Sequence, residues 1–440
     1  MPKKPVVSRR SVLRQGLAAA AGGGAGALLG RPPEAAAEIP GPRAQATSTA
    51  GQSFRAFVRY RDGVSVEELR LLPIQPREVV IRTEASMACY SITPFALRTN
   101  NYARPTIMNH SGMGVVEEVG PMVKRVQPGD RVIVAGTPQC GQCYQCLQGR
   151  ADHCQWLSGV DVHPVAEMAD GTGVVEMSGI GGISDMMVVT EEYCCPVFTG
   201  VPAAGLAMLA DTSGTGLAAG MNLIRIDPGS DVVVLGAGPL GLAAIQSARI
   251  MGAAQIIAVE PVAYRREKAL EVGATSALDP NAEGDGLVGR IQAMCAPPTN
   301  RLFAGGSGPR GRGADYVIEA VGGDQFPPEV EAGPDPTGIL PIRQAWTMTR
   351  PGGHIVTHGI GQQGEVSFPA SAFCISGKTF HAGQQGGLNM MRDLPRYVRL
   401  IEEGLFDAAA LVGRTYTLDE ARDAFEAVAA RTVLSAVVVF

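Results

Sequence analysis

The sequence predicts an α/β protein in two parts, a β-rich, barrel-like domain followed by a doubly wound parallel sheet. Short β-rich runs, VVIRTEA at 79–85 and GVVEEVG at 114–120, then a Pro128-Gly129-Asp130 turn into RVIVAG, give the first part the texture of a twisted antiparallel domain. The segment DVVVLGAGPLGLAAIQSARIMGAAQIIAVE at 231–260 reads as a buried strand, a glycine turn, a helix and a second buried strand, which is one βαβ unit. A further helix and strand in REKALEVGATSALD, with buried runs ending in glycine at 313–323 and 352–361, continue the alternation that a parallel sheet requires.

Length and composition agree with this reading. A chain of 440 residues, 45% hydrophobic and 18% charged, can bury a full core and form one large or two medium domains. Its 56 glycines and 31 prolines follow no G-X-Y period, which excludes collagen and fits a turn-rich α/β protein. After residue 40 no apolar run is long enough to span a membrane. The first 37 residues carry a local net charge of +5, so the remainder carries −10 of the chain's total of −5. That acidity, with no basic stripe, argues against nucleic acid as a partner and favours simple solubility.

Taken in order, the chain begins with an address. SRRSVLR at 8–14, followed by the uncharged Ala/Gly/Leu stretch from Leu17 to Leu29, resembles a twin-arginine export signal, with Val12 where that pattern has Phe. Ala35-Ala36-Ala37 offers an A-x-A cleavage site and Ala44-Gln45-Ala46 a second choice. Such a signal implies export of a folded protein, carrying a cofactor acquired in the cytoplasm, to the periplasm or cell exterior.

Next comes Cys140-Gly-Gln-Cys143-Tyr-Gln-Cys146 with Cys154, four thiols within fifteen residues. Their spacing lets the sulfurs converge on one tetrahedral ion, and four thiolates leave no open position, so this would be a structural zinc. In an exported protein two disulfides are the rival reading, which export after folding weakens.

Within the βαβ unit, Gly236-Ala-Gly238-Pro239-Leu240-Gly241 follows the strand VVVL and opens a helix, with Glu260 nineteen residues on at the end of the next strand. The first glycine permits the tight turn, the second lets backbone amides approach a pyrophosphate, and the third allows close helix packing. Glu260 would accept hydrogen bonds from ribose hydroxyls and repel a 2′-phosphate, which predicts NAD over NADP. Beyond it, 279–313 and 323–341 are rich in Gly, Pro and Asn with weak periodicity and read as surface insertions. Two amphipathic helices and a last apolar strand end the chain.

These blocks, together with NHSGMGVVEEVG at 109–120 and TPQCGQC at 137–143, resemble the zinc-dependent medium-chain dehydrogenase/reductase family, the alcohol dehydrogenases, over roughly 54–440. The resemblance implies a GroES-like catalytic domain from 38–213 and 385–440, and a Rossmann NAD-binding domain at 214–384, after a signal at 1–37. It implies a second, catalytic zinc held by Cys89, His110 and Asp211, the last where many relatives carry Cys, so two zinc ions per chain. Ser91 matches the hydroxyl that takes the alcohol proton. Gly236, Gly238, Pro239, Leu240, Gly241, Glu260 and Arg265 would bind the nucleotide. The substrate would be a small alcohol or carbonyl compound, and the assembly a homodimer or homotetramer.

Three positions depart from the family pattern. Ser111 replaces the acidic residue after the zinc histidine, Ile92 stands where an acid supports that histidine, so that Asn109 or a backbone carbonyl would orient the ring, and Pro94 replaces a relay histidine. Gly136 and Gly159, where relatives often carry large apolar side chains, suggest room for a bulky or secondary alcohol, with Trp156 as a wall. Cys194, Cys195, Cys295 and Cys374 lack metal spacing, and His153, His163, His354, His358 and His381 have no paired motif. Because the cell exterior holds no appreciable free NAD pool, the reading includes NAD loaded before export and retained, with either an external electron acceptor or oxidation of one substrate coupled to reduction of another. The alternative is an exported, ligand-binding relative that keeps the fold and has lost the catalytic zinc; a zinc-free quinone reductase would not be expected to keep the four-cysteine lobe.

Overall fold

Asp231–Leu235 is a strand buried at every residue, and it forms the centre of a six-stranded parallel sheet. Along the chain these strands are Asp231–Leu235, Gln255–Val259, Ser276–Leu278, Ala314–Glu319, Thr349–Thr357 and Thr379–His381, in the spatial order 3-2-1-4-5-6. The order reverses between the first and fourth strands, where doubly wound sheets open a crevice at their carboxyl ends. The helix Pro239–Met251 starts in that crevice, with Gly238 as its N-cap and proline in its first turn, and stops at Gly252 in the left-handed conformation, φ 88°. This structure is a computed structural model that describes residues 48–440 apart from residues 62, 99–101, 158–161, 296–312 and 325. The export segment at 1–37 and Gly159 lie outside the described residues.

The first part of the chain makes a closed barrel of Ser53–Arg61, Gly63–Leu71, Ala166–Glu167, Gly173–Glu176 and Tyr102–Ile107. Beside it stands a seven-stranded sheet whose long strand Glu78–Met87 pairs with Gly112–Val119, Met186–Thr190 and the returning C-terminal strand Ala436–Val439. Val437 sits opposite Met87, so the last strand braces the segment that leads straight into Cys89. One hydrophobic cluster runs through both parts, from Met87 and Met208 to Val234 and Ile245, and all described residues belong to one compact unit. Among the described residues no helix is long and apolar enough to cross a membrane.

The 323–341 segment is not the plain surface insertion its composition suggests. It packs on the carboxyl edge of the parallel sheet, where a Cβ at Gly323 would lie 2.1 Å from the Gly361 carbonyl oxygen and one at Gly338 would lie 2.6 Å from the Gly322 carbonyl carbon. No side chain fits at either position, and Gly338 also has φ +69°, so glycine is what allows the segment to settle there.

Candidate active site

Three elements deliver three ligand-type side chains to one point. Cys89 follows the strand Glu78–Met87, His110 sits in the turn before Gly112–Val119, and Asp211 lies between the helices Ala203–Leu209 and Thr212–Ala218. Their donor atoms all lie within 4.8 Å of one another. His110 Nε2 is 3.6 Å from Asp211 Oδ2 and 3.4 Å from Ser91 Oγ, and Ser91 Oγ is 3.1 Å from Cys89 Sγ.

Asp211 Oδ2 is buried with no hydrogen-bond partner among the described residues. An unpaired buried carboxylate oxygen is costly, and a cation is what would satisfy it. Burial, then the charge of Asp211, pushes the Cys89 thiol well above its ordinary range. Thiol, imidazole and carboxylate converging in this way suit Zn²⁺ with three protein ligands and an open position.

The departures from the family pattern have structural consequences. Asn109, at φ 84°, donates from Nδ2 to Ser86 Oγ and to the Met87 carbonyl, so its side chain braces the neighbouring strand and does not orient the His110 ring. The Ser111 hydroxyl is buried without a partner among the described residues, Ile92 is buried, and Pro94 lines the cleft in front of the triad.

The four-cysteine lobe is built from the loop at 140–154. All four cysteines are free, their sulfurs lie within 4.8 Å of one another, and Cys143 Sγ is 4.0 Å from Cys154 Sγ. A disulfide needs about 2.05 Å, whereas sulfurs bound at about 2.3 Å around a tetrahedral zinc stand about 3.8 Å apart. Backbone amides of Cys140 and Cys143 donate to Cys154 Sγ and Cys140 Sγ, each at 3.3 Å. Burial opposes ionisation of Cys143, but the amides of Gln155 and Cys146 and the adjacent thiols outweigh it and bring this thiol down to about 6. Trp156, expected as a pocket wall, instead lies under the Arg77 guanidinium at 5.4 Å, and it is not among the residues lining the cleft.

A cleft of about 1290 Å³ joins the triad to the glycine turn. Gly236 has φ +87° and a Cβ there would lie 3.1 Å from the Ala320 carbonyl oxygen, while a Cβ at Gly241 would lie 1.9 Å from the Gly236 carbonyl oxygen. At Gly238 the nearest atom to a Cβ is Arg265 Nη1 at 3.9 Å, so the second glycine leaves open space beneath a guanidinium. Pro239 and Leu240 line the same crevice. Glu260 is buried there, its Oε2 accepting from the Ala237 amide at 2.7 Å and its Oε1 from the Val262 amide at 3.0 Å. Arg265 Nε donates to Tyr264 Oη at 3.1 Å, which aims the guanidinium across the turn. An amide-lined open turn under a cation, with a carboxylate at the next strand end, fits a dinucleotide.

The alcohol dehydrogenase GroES-like domain matches residues 75–203, and the zinc-binding dehydrogenase domain matches residues 239–403. The chain belongs to the zinc-type medium-chain dehydrogenase/reductase family. It is 29% identical to the geraniol dehydrogenase of Castellaniella defragrans over 389 residues, covering 86% of this chain and 94% of that one. It is 28% identical to the NDMA-dependent alcohol dehydrogenase of Amycolatopsis methanolica, with 82% and 91% covered, and 26% identical to the class-3 alcohol dehydrogenase of Cereibacter sphaeroides, with 88% and 99% covered. In fold it is similar to the benzyl alcohol dehydrogenase of Acinetobacter calcoaceticus, with a TM-score of 0.72, 24% identity, and 88% and 99% covered. With these relatives the chain is an alcohol dehydrogenase-like oxidoreductase.

Several cleft residues of this family member escape sequence reading. The 323–341 segment contributes Asp324, Pro328, Glu331, Ala332 and Asp335 to the cleft wall. Asp324 is clasped by the Tyr90 hydroxyl and by Arg431, whose guanidinium lies 4.5 Å from the Tyr90 ring centre. His153 lines the cleft with Nε2 3.3 Å from the buried Asp152 carboxylate, a pairing of sequence neighbours that carried no motif. His358 also lines it, with Nε2 buried and unpartnered among the described residues, and burial lowers its pKa to about 4. Away from the cleft, His354 Nδ1 and His381 Nε2 meet at 3.0 Å across adjacent strands, and His163 pairs with Glu78 at 3.0 Å. Cys194, Cys195 and Cys295 are buried, and Cys374 is exposed.

Proposed function

We propose that this protein is an exported, zinc-dependent alcohol dehydrogenase that works with NAD and keeps the nucleotide bound through turnover. The observation that carries the proposal is the convergence of Cys89, His110 and Asp211 in the same cleft as the Gly236–Gly241 turn. Cys89, His110 and Asp211 would hold a catalytic zinc, Cys140, Cys143, Cys146 and Cys154 a structural one, and the glycine turn with Glu260 and Arg265 the dinucleotide. When bound, the zinc supplies Lewis acidity at the substrate oxygen and NAD supplies a two-electron acceptor.

The chain's own residues do the rest. Ser91 Oγ, between Cys89 Sγ and His110 Nε2, stands where the alcohol proton must go, and its hydroxyl receives that proton. Pro94 cannot carry it further, so Ser91 would pass its own hydroxyl proton on to water in the open cleft. Glu260, buried at the end of the second sheet strand, would face the ribose of a bound nucleotide, disfavour a 2′-phosphate there and so select NAD.

Support for retention comes from the ties of the 323–341 strap. At one end Asp324 is held by Tyr90 and Arg431, the Phe326 amide donates to Tyr90 Oη at 3.1 Å, and the Phe326 ring meets the Tyr90 ring edge-on at 6.4 Å. At the other end Asn281 Nδ2 donates to the Val330 carbonyl at 2.7 Å while its Oδ1 accepts from the Ala332 amide at 2.8 Å. Asn281 follows the third strand of the parallel sheet, so the strap crosses the crevice from the Ser91 side to the far strand. A nucleotide held in this crevice would be released when one of these ties opens. That arrangement suits a protein carrying SRRSVLR, since a retained nucleotide travels with it to a compartment without free NAD. An external acceptor then reoxidises the nucleotide.

The test is a single turnover. Protein purified without added cofactor, mixed with an alcohol and no acceptor, should develop the absorbance of reduced nicotinamide once, up to one equivalent per chain. A requirement for free NAD in every cycle would overturn retention.

A further inference from the structure

We propose that the substrate carries a second hydroxyl next to the reacting carbon, and that the Gln385 carboxamide is the residue that selects it. The inference rests on alcohol oxidation at the site just described. Gly136 leaves the wall beside His110 without a side chain, and the space is shared by Gln385, from the turn Gln384–Gly387. A Cβ at Gly136 would lie 3.0 Å from Gln385 Nε2 and 3.4 Å from His110 Nδ1, so the carboxamide stands next to the ligand histidine. The sequence suggests room there for a bulky or secondary alcohol, and a carboxamide shares that space.

The orientation of that carboxamide is set. Thr137 Oγ1 donates to Gln385 Oε1 at 2.6 Å, which occupies the amide oxygen and turns the amide nitrogen toward Gly136 and the cleft. The amide nitrogen stands on the same side of Gly136 as the His110 carbonyl oxygen and Nδ1, and among the described residues it makes no hydrogen bond. The backbone here is left-handed, with φ 43° and ψ 47° at Gln385, followed by positive φ at Gly386 and Gly387. A glycine would adopt this turn at less cost, and a long side chain held there at a cleft marks a functional position.

A second polar group points the same way. His153 lines the cleft and is oriented by Asp152, whose carboxylate also accepts Arg150 Nε at 3.1 Å and Nη2 at 3.0 Å. Arg150 is committed to Asp152, so the groups this wall offers beside Gly136 are the Gln385 amide and the His153 ring, both able to donate to a hydroxyl. Across the cleft Met87, Pro94 and Phe95 present apolar surface. A short polyol, hydroxylated along one side with C–H groups on the other, matches both walls.

The experiment compares propane-1,2-diol with 1-propanol on the zinc- and NAD-loaded enzyme, by kcat/KM and by calorimetric binding. Loss of one donor aimed at a substrate hydroxyl changes selectivity by about tenfold. The wild type should favour the diol by that factor in both readouts, and Gln385→Met, which keeps the length and removes the donor, should bring the ratio to about one. Thr137 acts as a positioning residue: Thr137→Val should lower the ratio and Thr137→Ser restore it, so the inference is tested even if the Gln385 variant folds poorly. Equal handling of diol and mono-alcohol by the wild type, or an undiminished ratio in Gln385→Met, would overturn the inference and leave alcohol oxidation standing. Failure to oxidise either alcohol with both metals and nucleotide bound would remove the functional reading and this inference with it.

Discussion

Asn281→Ala tests retention at its weakest visible tie. The side chain makes two hydrogen bonds to the strap backbone, to the Val330 carbonyl and from the Ala332 amide, and both are solvent-exposed. Exposed neutral hydrogen bonds contribute about 0.5–1 kcal/mol each, so losing two should free the strap by about 1–2 kcal/mol, or about 5–30-fold in the nucleotide's dissociation rate. Asn281 lines the same cleft but is not one of the metal-ligand or proton-accepting groups Cys89, His110, Asp211 and Ser91, so turnover of the loaded enzyme should be retained. The assay loads wild type and variant equally, passes them through repeated gel filtration, and measures nucleotide remaining per chain against time. The variant should shed nucleotide within the predicted range and gain activity from added NAD. Identical loss curves for the two proteins would refute the strap as the retaining device.

Other outcomes follow from single groups. Asp211→Ala should lower bound zinc from two ions to one per chain, with the four-cysteine ion kept and alcohol oxidation lost, as elemental analysis and turnover would show. Glu260→Gln should relax the preference for NAD over NADP by about tenfold in affinity, because it removes the charge facing the ribose while keeping an acceptor for a backbone amide. His358, held neutral by burial at a pKa of about 4, stabilises the fold at pH above its unfolded value of about 6.5, and that stability is lost as pH falls from 6.5 toward 4. The loss reaches about 3 kcal/mol, and a His358→Phe variant should show a flatter fall of chemical-denaturation stability across that window.

The parts of the site that were legible in the sequence are local. Gly236, Gly238 and Gly241 are placed by their own turn, and Cys140 to Cys154 by spacing on one loop. Cys89, His110 and Asp211 are far apart in the chain, and their meeting was legible through family resemblance, not periodicity. What stayed hidden depends on long-range contact between irregular segments. The Gly- and Pro-rich strap shows no period, and its ties join Asp324 to Arg431, 107 residues away, and Phe326 to Tyr90, 236 residues away. Gly136 read as open space because Gln385, which shares that space, comes from a turn at the opposite end of the nucleotide domain. Trp156 was expected as a wall of the pocket at Gly136 and Gly159, but its ring lies against the Arg77 guanidinium and is not among the cleft-lining residues.

The central claim, a self-contained zinc and NAD enzyme, is tested most directly by composition. The protein, purified with no cofactor added, should contain two zinc ions by elemental analysis and about one NAD by mass spectrometry per chain. One zinc ion and no nucleotide would contradict the account and leave an exported relative in which Cys89, His110 and Asp211 no longer hold a catalytic metal.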